Sequence, residues 1–358
     1  MKTLRLHVDA NKPGTPEFAA TLDRAAQLLR SGRLVALPTE TVYGLGANAL
    51  DAAAVERIFA AKSRPKWDPI IVHVSSLDMV RELVSAVPES ATRLIEAFWP
   101  GPLTLLLQRS AAVPDVVTAG RPLVGLRMPA HPVALELIRR AGVPIAAPSA
   151  NRFSHVSPTT AAHVLRDLDG RIDAVLDAGP ALHGVESTVL DPNPSPMLIY
   201  RPGAITREMI RDAAGPVEIV ESRTELRESP AEALPSPGVG LRHYAPKARL
   251  VLLEVSATEP EPAAAELAPL MIQAAREFAG EEVGVMLPAG IPAPDGSATL
   301  RIFNWGRWDA PEEMAQSLYA GLRALDEQGC SAILCPLPPH QGIGVAIRDR
   351  LRKAGTRE

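Results

Sequence analysis

Cysteine is nearly absent: Cys330 and Cys335 are the only two in 358 residues. One C-x4-C with no second pair and no histidines beside it makes a poor zinc site, and two cysteines cannot build a disulfide framework. They read as buried reduced thiols, which fits a cytoplasmic protein. Aromatic residues make up 4% of the chain, too few to suggest a platform on which nucleic-acid bases stack. The net charge of −4 excludes a polycation that coats nucleic acid, so any anion site must be a local basic pocket. No apolar run approaches the length of a membrane span, and the opening M-K-T-L-R-L-H-V-D-A lacks the apolar core of a secretory leader. The expectation is a soluble intracellular protein with no membrane partner.

What is present is ordinary for a globular chain, with 46% hydrophobic and 22% charged residues. A chain of 358 residues is long enough for two domains, since single cores stop growing near 250–300 residues. The 35 prolines are about twice the usual share. They gather at loops and in one linker, where they stiffen turns.

The chain is organised around residues 37–46, L-P-T-E-T-V-Y-G-L-G. The apolar run 34–37 reads as a short buried strand that stops at Pro38. Hydroxyls and the glycines Gly44 and Gly46 follow. Such a break is one way an α/β enzyme presents backbone N–H groups to an anion, and it is equally a plain strand-to-helix turn. Gly44-x-Gly46 is too short for a dinucleotide fingerprint, and no Walker lysine follows. Similar breaks recur at 62–73, 147–151, 186–189 and 201–203.

Helices are expected over 16–31, and over 52–61 with Asp51 as N-cap. K-S-R-P-K-W-D-P follows, placing Lys62, Arg64 and Lys66 within five residues before a strand at 70–74 that carries His73. Cations complement the end of a helix, but a proline-pinned basic loop at a strand end also suits a polyphosphate. His73 alone is more ordinarily a core histidine. A short helix at 92–98 precedes strands at 103–107 and 124–128. The second of these carries Arg127, which needs a carboxylate from the protein or from a substrate because a buried arginine is costly unpaired. Strand 144–147 opens into P-S-A-N, and Ser157-Pro158 reads as an N-cap starting a helix to about residue 168. Strands at 174–176, 187–190 and 197–200 follow, the last ending at Arg201. Several links are too short for crossover helices, which predicts a mixed twisted sheet with flanking helices.

Composition shifts at 221–247, a proline-bearing linker ending in S-P-G-V-G-L-R-H-Y-A-P. The organisation expected is a catalytic domain at 1–220, the linker at 221–247 and a smaller domain at 248–358. In the last, strands at 250–255, 283–287, 299–303 and 332–335 alternate with helices at 263–278, 311–325 and 343–352. That alternation predicts a parallel, Rossmann-like sheet.

No Ser-His-Asp order is compelling, and no G-x-S-x-G or H-E-x-x-H is present, so neither a hydrolase nucleophile nor a metal site is indicated. What remains is a set of cations, hydroxyls and amides at strand ends: Lys62, Arg64, Ser149, Asn151 and Arg201. These suit holding a nucleoside triphosphate for displacement.

In combination, P-T-E-T-V-Y-G-L-G, the K-x-R of Lys62 and Arg64, F-W-P-G-P-L-T, A-P-S-A-N and E-S-T-V resemble the YrdC-like threonylcarbamoyl-AMP synthases. The downstream S-P-G…H-Y-A-P and second α/β unit resemble the long, two-domain form. The resemblance implies nucleotidyl transfer: L-threonine, bicarbonate and ATP give threonylcarbamoyl-AMP and pyrophosphate, for N6-threonylcarbamoylation of adenosine 37 in tRNA. It implies that Lys62, Arg64, Ser149 and Asn151 form a catalytic tetrad. Arg64, Asp68, Ser149, Ser157, Arg201, His243 and Tyr244 fall at ATP-side positions, and Thr41, His73, Arg127 and Ser187 at threonine-side positions. Arg127 would take the threonine carboxylate. Magnesium would ride on the ATP phosphates, and the partners would be the downstream threonylcarbamoyl transferase machinery, with tRNA as a further candidate.

One position departs from the family pattern. Asp68 stands where R-P-x-x-N-P is expected, and its charge repels phosphate unless Lys66 or magnesium offsets it. Two other functions fit the same residues: an RNA-binding module without catalysis, and adenylation of a different carbamate.

Overall fold

The computed structural model describes residues 2–220, 234, 236, 244–293 and 299–356. The chain divides into two compact units. The first is Met1–Phe153, Ser157–Leu182 and Glu186–Gly240, and the second is Ser154–Val156, His183–Val185 and Leu241–Glu358.

Among the described residues, the first unit is built on eleven strands: β1 (Leu4–His7), β2 (Val35–Leu37), β3 (Gly44–Asn48), β4 (Val72–His73), β5 (Leu103–Gln108), β6 (Leu123–Arg127), β7 (Ile145–Ala146), β8 (Ala174–Asp177), β9 (Thr188–Asp191), β10 (Met197–Arg201) and β11 (Val217–Ile219). Its helices are α1 (Pro16–Arg30), α2 (Ala52–Lys62), α3 (Leu77–Leu83), α4 (Glu89–Phe98), α5 (Asp115–Thr118), α6 (Pro132–Ala141), α7 (Ala161–Leu168) and α8 (Arg207–Ala214). The strands lie in the order β1-β8-β2-β3-β7-β4-β6-β5-β9-β10-β11. Pairing is mixed: β2–β3, β3–β7, β4–β7, β5–β6 and β9–β10 are antiparallel, and the other neighbours are parallel. The expected mixed sheet is what forms.

Apolar side chains from opposite faces of the strands enter two cores. Ala36, Leu45, Val72, Leu105 and Leu126 pack with α2 residues Val55, Ile58 and Phe59. Val35, Leu37, Ile145 and Ala174 pack with Leu22, Ala26 and Leu29 of α1 and with Leu137 of α6. Alternation along a strand sends neighbours such as Val35 and Ala36 to different cores. Helix starts follow their caps: Thr15 accepts from Phe18 N, and Asp51 from Ala53 N and Ala54 N.

Two of the differences from expectation lie in the strands. The strand at 70–74 is pared to Val72–His73. Gly44 and Gly46 are not an anion-binding loop but the start of β3, paired with β2. A Cβ on Gly46 would lie 2.8 Å from Leu37, 2.9 Å from Ile145 and 3.0 Å from the Val35 carbonyl, so the glycine serves close packing.

Among the described residues, the second unit carries a parallel four-stranded sheet, as its alternation predicts. Its strands β12 (Arg249–Leu253), β13 (Glu282–Ala289), β14 (Thr299–Arg307) and β15 (Ala332–Pro336) lie in the order β12-β15-β13-β14. Helices α9 (Pro260–Arg276), α10 (Pro311–Glu327) and α11 (Gly344–Gly355) accompany it. Cys330 and Cys335 are buried free thiols within it, and burial pushes both thiol pKa values up. Among the described residues, no helix is long and apolar enough to cross a membrane.

Candidate active site

Beyond Leu37 the chain turns sharply, and the Thr39 side chain holds the turn. Its Oγ1 accepts from the N–H groups of Thr41 and Val42, each at 3.2 Å, and donates to the Val42 carbonyl at 2.6 Å. In an extended strand, Glu40 and Thr41 would face opposite ways. The turn brings both onto Arg127. Glu40 Oε1 lies 2.6 Å from Arg127 Nη2, and Thr41 Oγ1 accepts from Nη1 at 2.9 Å. Arg127 Nε donates to the Gly101 carbonyl at 3.2 Å.

Arg127 ends β6 in register with His73 of β4. Burial pushes the His73 pKa down to about 3, and the neighbouring Arg127 charge adds to the effect, so the ring is neutral at physiological pH. Burial alone would raise the Glu40 carboxyl pKa, but the Arg127 guanidinium outweighs it and holds the group below its usual range. The carboxylate that Arg127 requires is therefore supplied by Glu40. The substrate carboxylate invoked for that purpose is not needed to make the burial tolerable.

A second cluster forms around Lys62, the last residue of α2. Ser63 takes the left-handed conformation at φ 55° and ends the helix. Lys62 is 1% exposed. Its Nζ donates to the Ser149 carbonyl at 2.6 Å and to the Asn151 carbonyl. Burial drives its pKa well below the usual lysine value, with the Arg64 charge pushing the same way. Two of its donors are spent on these carbonyls.

The A-P-S-A-N segment is held from its other side by Leu45 N to Pro148 O at 2.7 Å and Ala150 N to Tyr43 O at 2.8 Å. Asn151 Nδ2 donates to the Arg152 carbonyl at 2.8 Å. Ser149 is half-buried, the most accessible of the four tetrad positions. Sequence spacing alone could not join K-x-R to S-x-N, and the Lys62 ammonium does so.

Arg64 donates through Nε to the Asp68 carbonyl at 3.2 Å and through Nη2 to the Pro69 carbonyl at 2.8 Å. Its Nη2 also lies 2.9 Å from Asp68 Oδ2, a charge contact without hydrogen-bond alignment. Asp68 is wholly buried. Burial dominates and raises its carboxyl pKa, although Arg64, Lys62 and Arg201 all pull it down. One carboxyl among three basic side chains explains why aspartate is tolerated at this position. Lys66 is not the offsetting charge: it stands in solvent, 3.1 Å from Glu56.

Arg201, at the end of β10, donates through Nε to the Ser187 carbonyl at 3.0 Å and through Nη2 to Ser187 Oγ at 3.1 Å. Ser187 Oγ is 2.8 Å from Thr104 Oγ1. Gly203 allows this corner, because a Cβ there would meet Thr188 N at 2.4 Å.

Ser157 is not an N-cap. The helix starts at Ala161, capped by Thr160, which accepts from His163 N. The Pro158 carbonyl instead accepts from Tyr43 N at 2.9 Å, which keeps this segment out of the helix. Buried Ser157 donates to Glu186 Oε1 at 2.6 Å.

Of the two linker positions expected at the nucleotide, His243 lies outside the described residues. Tyr244 belongs to the second unit. There its ring stacks on Tyr319 with centroids 5.7 Å apart, and the Arg350 guanidinium sits 5.4 Å from its centroid. Glu40, Thr39, Thr104 and Glu186 were not singled out by sequence. Thr39 and Glu40 lie inside the P-T-E-T motif, Thr104 ends F-W-P-G-P-L-T and Glu186 opens E-S-T-V, and those motifs were the available signal. Among the described residues, no group of three or more His, Cys, Asp or Glu side chains could hold a metal ion.

The Sua5/YciO/YrdC family model, described as telomere recombination, matches residues 27–203. A model described as threonylcarbamoyl-AMP synthase, C-terminal domain, matches residues 205–356. The threonylcarbamoyl-AMP synthase of Bacillus subtilis is 42% identical, over 99% of this chain and 98% of its own. That of Pyrococcus abyssi is 41% identical over 92% of each chain. A crystal structure of P. abyssi Sua5 complexed with L-threonine is similar at a TM-score of 0.86 and 38% identity, covering 99% of this chain and 98% of that one. This chain belongs to the threonylcarbamoyl-AMP synthase family, in the form that carries the C-terminal domain.

Proposed function

We propose that the chain converts L-threonine, bicarbonate and ATP to threonylcarbamoyl-AMP and pyrophosphate, for N6-threonylcarbamoylation of adenosine 37 in tRNA. The observation that carries this reading is the Lys62 ammonium bonded to the carbonyls of Ser149 and Asn151. It gathers the K-x-R and S-x-N pairs into one cationic cluster with Arg64 and Arg201.

The threonine amine captures bicarbonate as a carbamate, with loss of water. A carbamate oxygen then attacks the α-phosphorus of ATP, and the bond to pyrophosphate breaks. Lys62, Arg64 and Arg201 face the triphosphate and offset the charge that builds on the leaving group. Asp68 tempers those cations when no nucleotide is bound. Ser149, Asn151 and Ser157 complete the nucleotide side, while Thr41, His73, Arg127 and Ser187 hold the amino acid. Magnesium enters as part of the substrate, on the phosphates. Burial of the amino-acid side excludes water from a carbamoyl adenylate that hydrolyses readily.

A cytoplasmic setting, where ATP and tRNA are plentiful, and a threonylcarbamoyl transferase as recipient complete the proposal. Mass spectrometry of the nucleotide products after incubation with all three substrates and magnesium tests it. Threonylcarbamoyl-AMP is the expected species. AMP or ADP alone, in a rapid acid-free quench, contradicts the reading.

A further inference from the structure

We propose that Asp68 takes up a proton from solvent when ATP binds, so that the enzyme holds the nucleotide with this carboxyl neutral and loses affinity for it as pH rises.

The surroundings of Asp68 make its charge depend on its neighbours. The residue is wholly buried, and among the described residues neither carboxyl oxygen receives a hydrogen bond. Its main chain is pinned on both sides. Asp68 N donates to the Pro65 carbonyl at 3.3 Å, and Ile70 N donates to the Val117 carbonyl at 2.8 Å. The Asp68 carbonyl accepts from Arg64 Nε at 3.2 Å. A buried carboxylate without hydrogen bonds stays ionised only while opposite charge replaces its lost hydration. That charge comes from Arg64 in the same loop, Lys62 at the end of α2 and Arg201 at the end of β10. Arg64 Nη2 stands 2.9 Å from Oδ2.

The same three cations face the triphosphate in the proposed reaction. Phosphate oxygens align with guanidinium and ammonium donors better than this carboxylate does. Once they engage, Asp68 meets added negative charge with its own compensation withdrawn. Burial has already raised its pKa, and a nearby anion raises it further. The protonated carboxyl has an O–H to donate, as the amide of the expected asparagine has N–H. Lys62 is the rival site for the proton, because burial and Arg64 depress its pKa. Its partners, however, are two carbonyls, which favour the ammonium form before ATP arrives.

This inference rests on the proposed ATP site. The test is titration calorimetry of magnesium-ATP into the full chain, in buffers of different ionisation enthalpy. Threonine and bicarbonate are left out so that no turnover occurs. The parent is expected to take up about one proton per ATP, and its affinity to fall by up to about tenfold per pH unit above neutrality. Asp68→Asn should bind ATP without that uptake, and with affinity that varies little with pH. Difference infrared spectra on ATP binding should show a protonated carboxyl in the parent and none in Asp68→Asn. Uptake that persists in Asp68→Asn places the proton on Lys62 or another group and overturns the assignment. So does a parent that binds ATP without uptake, an outcome readable even if the variant fails to fold. A parent that binds no ATP overturns the nucleotide site and this assignment together. One that binds ATP with the expected uptake, yet releases no pyrophosphate once threonine and bicarbonate are added, overturns the synthase reading alone.

Discussion

Glu40 Oε1 and Arg127 Nη2 meet at 2.6 Å, and both side chains are almost wholly removed from solvent. The contact ties the turn after β2 to the end of β6, residues far apart in the chain. It balances these two charges without any substrate, and the neighbouring His73 is neutral.

Breaking a buried ion pair from one side strands the other charge. Glu40→Gln keeps the shape and removes the anion, so it should lower stability by about 3 kcal/mol in urea unfolding. L-threonine should then stabilise the variant more than the parent, because its carboxylate restores the missing counter-charge to Arg127. Equal stabilisation of the two would place that carboxylate elsewhere.

His73 makes stability depend on pH. The unfolded chain binds a proton at this ring near pH 6.5, whereas the folded chain resists until about pH 3. Stability should therefore fall as pH drops from about 6.5 toward 3, by at most about 1.4 kcal/mol per unit from this group. Glu40, with its pKa depressed below 4.5, stabilises above that pH and adds its own loss only below it. His73→Asn should flatten the profile between pH 6.5 and 4.5. An unchanged slope would show that other groups take up the proton.

Lys62 has a structural duty beside the chemical one proposed for it. Lys62→Met removes the ammonium that joins the carbonyls of Ser149 and Asn151. Turnover should fall by about a hundredfold or more through lost charge stabilisation. Amide exchange across residues 148–153 should also speed up. Full activity, or loss of activity with that exchange unaltered, would contradict the dual role.

Gly46 separates packing from anion binding. Gly46→Ala pushes a methyl into Leu37 and Ile145, and should lower stability by about 1–3 kcal/mol. The KM for ATP should not move. A nucleotide defect without a stability defect would restore the anion-loop reading of this segment.

Composition and alternation carried the mixed sheet of the first unit and the parallel sheet of the second, because both follow from local period and link length. The need of Arg127 for a carboxylate was also legible, since burial of a charge is a local property of an apolar run. Its partner was not. Glu40 precedes Arg127 by more than eighty positions, and only the Thr39 turn aims it there. Ser157-Pro158 misled because a serine before proline carries the same signal as a helix cap, and the competing bond from Tyr43 is tertiary. Gly44 and Gly46 misled for a related reason: a glycine needed for close packing looks in sequence like one needed for a loop. Lys66 was grouped with Lys62 and Arg64 by spacing, yet Pro65 and the end of α2 send it to solvent.

The central claim is that this chain activates a threonine carbamate on ATP. Its most direct test is pyrophosphate release from ATP and bicarbonate by the full chain, with L-threonine, with L-serine and with neither. The account predicts release that requires an amino acid and is markedly faster with threonine than with serine. Release independent of amino acid, or none while ATP still binds, would contradict it.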